Sequence, residues 1–487
     1  MDHQSQCRPF YRLLNDAQIE RLHQATLELL DRVGVKVLLP EAVSLLVDAG
    51  CRVEAENRVR IPAHLVAQAI ERAPARITIY NRLGAAAMEL TGRNIHFGLG
   101  TDLVQTYDLT SGQLRDSCLQ DVANAACIAD ALPEIDFIGS YALPRDVPPN
   151  LMYLKTFHAQ LENSVKPIFY TAAGVEDIAL INEMAASVMG GAEALRKRPI
   201  HIHYAEPMSP LTHTAGALQK LLFCAEHGVP VCYTPGMMSG ASAPVTLAGA
   251  VTLGNAEALS GLVIHQLRAP GAPIISGFGM STLDMRSSAC IYGCPEYRLA
   301  LSACADLYHH YQLPMWGTAG VSDSVGLDQQ AGMEWTASIM TDALNGANLI
   351  HDVGYLGQGL IGHPGALVMC AEIISYVKRF IQGFGLDDDR LALDLIEAVG
   401  PGGEFISTDH TMTHFKSEHW QPRLINRDDP ETWQAKGGHD WGEKAVARAR
   451  EILSDHTPEP LGQGVAEQLK GILKKGATVL QGKQIRA

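Results

Sequence analysis

His201 and His203 stand two residues apart in the apolar stretch RPIHIHYAEPMSPL, residues 198–211. In a strand, side chains two apart share a face, so the pair has the spacing of two metal ligands in a barrel hydrolase. Such a centre also needs further histidines and a lysine or aspartate at other strand ends. His351 and Asp352 form the other plausible pair, and no predicted strand ends in lysine. His201 falls near the start of its strand, two residues after Pro199, away from the end where barrel chemistry sits. The expectation is that no intrinsic metal is bound and that both rings are satisfied histidines of the barrel interior. A metal-dependent hydrolase built on His201 and His203 is the alternative.

The elements that must position such residues follow from the pattern. From residue 91, short β-rich runs alternate with helical runs. Eight strand candidates stand out: NIHFGLGTDLVQTYD (read as a hairpin), IDFIGSYAL, KPIFYTAA, PIHIHYAE, PVCYTPG, APIISGFG, LPMWGTAG and ANLIHDVGYL. Several begin after a helix-ending glycine followed by proline, as in His227-Gly228-Val229-Pro230. Glycine closes a helix, and proline opens a strand where no ladder donor is needed. Eight such units predict an α/β fold, a (β/α)8 TIM-type barrel with N-terminal and C-terminal helical additions. The rival, an open doubly wound sheet, is weakened by the lack of a glycine-rich phosphate turn after the first strand. The expected boundaries are an N-terminal helical or small α+β extension over 1–90, the barrel over 91–385, and a helical cap over 386–487.

In a barrel the C-terminal strand ends carry the chemistry. Here those ends offer Thr101 and Asp102, Tyr141, Tyr170 and Thr171, Tyr204 and Glu206, Tyr233 and Thr234, Phe278, Trp316 and Thr318, and His351, Asp352 and Tyr355. The set is aromatic and acidic although aromatics make up only 6% of the chain. It is poor in lysine and arginine. A quaternary ammonium suits such a mouth; a sugar phosphate does not.

Composition removes other classes. A net charge of −15 with no basic stripe argues against nucleic acid. No signal-peptide profile opens the chain, and no uninterrupted apolar run reaches the ~18 residues that span a bilayer. Ten scattered cysteines without a CxxC pair fit a reducing cytoplasm. Nucleophile-elbow, Walker and HExxH motifs do not occur, so the reactive group is expected from a cofactor delivered by another protein.

Three stretches carry a resemblance: GMMSGASAPVTLAGAVTLGNAEALSGLVIHQLRAPGAPI (236–274), YGCPEYRLALSACADLYHHYQLPMWGTAGVSDSVGLDQQAGMEWTASIMTDALNGANLIHDVGYL (292–356) and HWQPRLINRDDPETWQAKG near the C-terminus. Together they resemble the trimethylamine methyltransferase (MttB-like) family of corrinoid methyltransferases over nearly the whole chain. The resemblance implies transfer of a methyl group from a methylamine to Co(I) cobalamin, a corrinoid carried by a separate partner protein. Founding members carry pyrrolysine. This sequence has none, which points to the members resembling glycine betaine methyltransferase, acting on quaternary amines.

On that reading His351 and Asp352 are the candidate catalytic residues, with His351 meeting the substrate or the incoming corrinoid. Trp316, Tyr204, Tyr355 and Phe97 are candidates for an aromatic cage, Glu206 for the ammonium charge, and Arg286 for a betaine carboxylate. Asn255 and Glu257, which interrupt an apolar helix, are read as buried structural groups. A homo-oligomer is expected. A quaternary-amine-binding protein without turnover is the non-enzymatic alternative.

Overall fold

The computed structural model describes residues 6–481. Eight short strands form its centre: β1 (His96–Phe97), β2 (Ile138–Gly139), β3 (Ile168–Tyr170), β4 (His201–Ala205), β5 (Val231–Tyr233), β6 (Ile274–Ile275), β7 (Trp316–Thr318) and β8 (Leu349–His351). Parallel pairing runs β2–β3–β4–β5–β6 in one sheet and β7–β8–β1 in another. Parallel bridges Gly98–Phe137 and Ser276–Met315 join the edges of the two sheets. Each strand therefore has a parallel neighbour on both sides.

A helix lies between each pair of successive strands, and Pro364–Gln382 follows the last. Local sequence sets their ends. Ala215–His227 stops at Gly228, which is left-handed (φ 66°), and Pro230 leads into β5. Gln329–Asn345 starts at Asp328, whose carboxylate accepts from Ala331 N at 2.9 Å.

Two apolar clusters separate the faces of the strands. Phe137, Phe169, Ile202, Cys232, Ile275, Trp316 and Leu349 pack inside, joined by Tyr204 and by Ile77, Ile79, Met88 and Leu90 of the hairpin Ile77–Tyr80/Ala86–Leu90. Phe97, Ile138, Ile168, Tyr170, Val231, Tyr233, Ile274 and Ile350 instead join the helices. This outer cluster continues without a break into Leu30 and Val35 near the N-terminus and Ile452 and Leu469 near the C-terminus.

One expectation changes. The hairpin predicted over residues 94–108 lies further on, between Gln105–Tyr107 and Leu114–Asp116, while His96–Phe97 joins the central strands. The turn is set by Asp108, whose carboxylate accepts from the amides of Thr110 and Ser111. Leu247–Arg268 is long and apolar enough to cross a bilayer, with a mean hydropathy of 1.4 over eighteen residues, yet Thr252, Asn255, Glu257 and Ser260 interrupt it, so no unbroken apolar run of that length occurs. The helix is buried on nearly all sides by the other elements, as a core helix is.

The family-like motifs turn out to be clamps. Asn255 Nδ2 donates to Thr26 Oγ1 and Tyr311 Oη, both at 3.0 Å, holding helix Asp16–Arg32 to helices Leu247–Arg268 and Pro295–Tyr311. Glu257 accepts from Ser209 Oγ and Leu211 N, both at 2.6 Å, fixing the loop after β4. In the C-terminal segment Trp420 Nε1 donates to Ser375 Oγ, Arg423 forks onto Glu134 at 2.7 and 3.1 Å, and Glu372 accepts from the amides of Arg423 and Leu424.

Candidate functional site

Strand alternation brings Tyr204 and His351, near the C-terminal ends of β4 and β8, and Trp316, the first residue of β7, to the inner face. The His351 ring centroid lies 5.0 Å from that of Trp316, 5.3 Å from Phe169 and 5.8 Å from Tyr204. Phe169 and Tyr204 are 5.2 Å apart. Gly279 leaves room for this group: a Cβ there would meet Trp316 Cη2 at 2.8 Å and Tyr297 Oη at 2.9 Å. The indole nitrogen of Trp316 and both ring nitrogens of His351 are buried without hydrogen-bond partners. His351 Nδ1 does lie 2.8 Å from Asp352 Oδ1, but at an angle that makes no hydrogen bond. Buried polar groups are normally paired, so these orphans mark donor and acceptor capacity left for something else.

Acids ring the aromatic group. Asp352 Oδ2 accepts from Thr318 Oγ1 at 2.7 Å. Glu206 accepts from Tyr204 Oη at 3.2 Å. Asp102 accepts from Thr171 Oγ1 at 2.8 Å and from Ser140 Oγ at 3.4 Å. Burial pushes Asp102 up to about 6, against the pull of those two hydroxyls. Burial also raises Glu206, and the charge of Asp102 adds to it. Glu206 is exposed, and water also reaches Asp102, Thr171, Asp352 and Tyr292, so the carboxylates line an opening. Asp102, five residues beyond β1, and Asp352, the residue after β8, both have left-handed backbones, φ 64° and 75°. Aspartate tolerates that region better than most residues, and strained backbones concentrate at working sites. Gly100 is required beside them, since a Cβ there would sit 2.0 Å from Asp352 Oδ1.

A mouth poor in lysine was expected, yet Lys220 comes close. It sits on helix Ala215–His227, and its Nζ donates to Ala172 O at 3.1 Å just beyond β3. Burial lowers its pKa, while Glu206 and Asp102 oppose that. Reading strand ends alone could not find it, because the ammonium arrives from a helix. Phe169 and Tyr292 were likewise absent from the residues read at the strand ends, and Thr318 was named there without a role; strand alternation was the signal that could have selected Phe169.

The structure does not bring every candidate to this place. Phe97 is fully buried on the outer face, in register with Ile350 and packed toward the helices. Tyr355 is buried, and its hydroxyl is spent on Tyr141 O at 3.0 Å; it backs Asp352 through Gly100. Arg286 is exposed in the turn 284–289, held by Asp284, on a loop beyond β6.

His201 and His203 also differ from expectation. They sit opposite Ile202 and Tyr204 on β4 and face the helices, His201 stacked on Tyr170 at 5.4 Å and flanked by Phe157. Neither ring has a hydrogen-bond partner, so they are not satisfied interior histidines. Burial drives His201 down to about 3 and His203 well below the usual histidine range, leaving both neutral. Among the described residues the pair belongs to no group of three or more metal-ligating side chains.

The sequence model of trimethylamine methyltransferase (MTTB) matches residues 2–478. The chain belongs to the trimethylamine methyltransferase family. Among curated relatives it is 32% identical to a trimethylamine methyltransferase of Desulfitobacterium hafniense, over 95% of this chain and 93% of that one. It is 31% identical to a glycine betaine methyltransferase from another strain of that species, over 96% and 98%. A trimethylamine methyltransferase of Methanosarcina barkeri is 30% identical over 96% of both chains. Among solved structures, the monomethylamine methyltransferase of Methanosarcina barkeri matches with a TM-score of 0.50 at 10% identity, covering 92% of this chain and 88% of that one. Its hydroxylamine complex gives 0.52 at 11% identity, with the same coverage. At that identity the likeness concerns the fold, a mixed α/β architecture. As a family member the chain is a methyltransferase.

Proposed function

We propose that the eight parallel strands close as a (β/α)8 TIM-type barrel and that the family member described here moves a methyl group from a quaternary amine, betaine-type first, to Co(I) of a corrinoid on a partner protein. The observation that carries this reading is the aromatic group Trp316, Tyr204, Phe169 and His351 set beside three carboxylates, Asp102, Glu206 and Asp352. A cation between them gains cation–π contact, ~0.5–2 kcal/mol per good face. It also relieves the cost of the enclosed acids.

The corrinoid supplies the nucleophile that takes the methyl group. The residues of this chain bind, orient and exclude water. A quaternary ammonium leaves as a neutral amine, so the side chains need supply no proton. Trp316 and Tyr204 hold the methylated head, and Thr318 and Gly100 hold Asp352 beside it. The charge vanishes as the methyl leaves, so the cage must not bind the ground state too tightly. His351, with neither ring nitrogen in a hydrogen bond, is the group suited to meet the substrate or the corrinoid face.

Support for a protein partner comes from the loops around these strand ends. Met208, Val245, Met285, Val325 and Leu360 follow five different strands, and each is more than half exposed. Exposed apolar side chains gathered round a site mark interaction surfaces. Arg286 shares its exposed loop with Met285, and we assign it to the carboxylate of a betaine during entry. All ten cysteines are unpaired, which suits a cytoplasmic setting. Exposed Tyr376, Phe380, Phe384 and Leu386 suit a homo-oligomer. Residues 1–90 and 386–487 are read as additions to the barrel.

The test is a panel of glycine betaine, carnitine, choline, proline betaine and trimethylamine, incubated with the protein and Co(I) cobalamin and followed by visible spectroscopy. Methylcobalamin formed with a quaternary amine supports the proposal; none formed with any of them overturns it. Calorimetric binding without turnover would instead assign a binding protein.

A further inference from the structure

The C-terminal segment holds a cluster that the methyl-transfer reading does not use. His410 and His414 lie four residues apart on helix Asp409–Glu418, so one face of the helix presents both imidazoles. Their ring centroids are 4.4 Å apart. Asp389, on the short helix Asp388–Leu391, completes the group: its Oδ2 is 3.0 Å from His414 Nε2, and its carbonyl oxygen is 3.1 Å from His410 Nε2. One ligand atom from each of the three residues lies within 4.8 Å of the others. His414 is 18% exposed and Asp389 69%.

Two imidazoles and one carboxylate are a borderline-soft donor set. Zinc takes such ligands at about 2.0–2.2 Å in a tetrahedron, and ligand atoms around such an ion stand roughly 3.3 Å apart by that geometry. The separations here, 3.0 Å for Asp389 Oδ2–His414 Nε2 and all within 4.8 Å, are of that order. A recess of about 460 Å³ borders the cluster and adds Asp388 and Asp394 beside Asp389 and His410. It leaves room for a fourth, exchangeable ligand and favours a cation. Local sequence supports the placement. Asp387 caps the short helix through Arg390 N, and Thr408 caps the longer one through Thr411 N. Both helices are therefore started by their own side chains, with the three donors meeting across the gap between them.

We propose that Asp389, His410 and His414 form a site for a divalent transition metal of the zinc class, which clips helix Asp409–Glu418 to the segment 388–391. The metal is structural, and it ties together two elements that bury no side chain of their own. Metal binding at such a site becomes folding free energy of the clipped elements.

The test uses the full, tag-free chain, stripped with a chelator. Zinc chloride is titrated by calorimetry, Co(II) uptake is followed by visible absorption, and thermal unfolding is recorded with and without zinc. The native chain should bind one equivalent and unfold at a higher temperature with zinc. His410→Ala together with His414→Ala should abolish both effects. Asp389→Asn should weaken zinc binding at least tenfold, and His439→Ala, an exposed histidine elsewhere, should change nothing. Far-UV circular dichroism of the metal-free variants keeps loss of fold apart from loss of binding. Absence of stoichiometric zinc in the native chain, or equal binding by the double variant, overturns the proposal.

Discussion

Thr318 Oγ1 donates to Asp352 Oδ2 at 2.7 Å, so the end of β7 orients the carboxylate at the end of β8. The same carboxylate presents Oδ1 to His351 Nδ1 at 2.8 Å. One acid thus accepts from a strand hydroxyl and lies close to the histidine at the centre of the aromatic group without hydrogen-bonding to it. Asp352→Asn keeps the shape and removes the charge. It should lower kcat/KM for a quaternary amine by roughly tenfold to a hundredfold, the effect of ~1–3 kcal/mol. Thr318→Val should give a smaller loss, because the charge stays while its orientation is released.

Gly100→Ala tests the same carboxylate sterically. The added Cβ would lie 2.0 Å from Asp352 Oδ1 and 2.8 Å from Tyr355 Cε2. The acid has to move, and misplacement by about an ångström costs on the order of a hundredfold in rate. Steady-state kinetics should show the fall while circular dichroism stays native.

Trp316 is the broadest aromatic face at the site. Trp316→Leu should raise KM for a quaternary amine by about two- to thirtyfold, the equivalent of ~0.5–2 kcal/mol. Trp316→Phe should keep part of the contact. Equal affinity of all three forms, measured by calorimetry, would remove the cage.

The pH dependence follows from Asp102. Burial holds its carboxyl at about 6. Below that pH it is protonated and offers no charge; above it, the anion attracts a bound cation. A cation in turn stabilises the ionised form, so binding releases a proton as the pH falls through 6. Affinity for a quaternary amine should therefore rise between pH 5 and 7. A neutral tert-butyl analogue of the same shape should bind with no such rise. Asp102→Asn should flatten the profile, measured by calorimetry across that range.

Phe97 separates packing from binding. It is fully buried against the helices, so Phe97→Ala should cost about 3–5 kcal/mol of stability. The KM of the folded fraction should not change. Arg286→Ala, at an exposed turn, should leave thermal stability unchanged.

Much of this arrangement was legible in the chain. The alternation of β-rich and helical runs, the Gly-x-Pro punctuation before β5 and the cluster of Tyr204, Glu206, Trp316, His351 and Asp352 at strand ends are local patterns. The side-chain period of two already places His203 and Tyr204 on opposite faces of β4, so the histidine pair and the tyrosine could not both line one site. Which face turned inward was decided by the tertiary structure: Ile202 and Tyr204 pack with Phe169 and Trp316, while His201 stacks on Tyr170 beneath a helix. That choice also carried Phe97 outward, because it lies in register with Ile350. Long-range proximity was equally out of reach. Lys220 reaches the strand ends from a helix, and Asp389 meets two histidines more than twenty residues away. Sequence by itself determined the elements and the chemical types at their ends, because these depend on neighbours along the chain. The tertiary structure alone decided which of those groups face one another, because that depends on how separate elements pack.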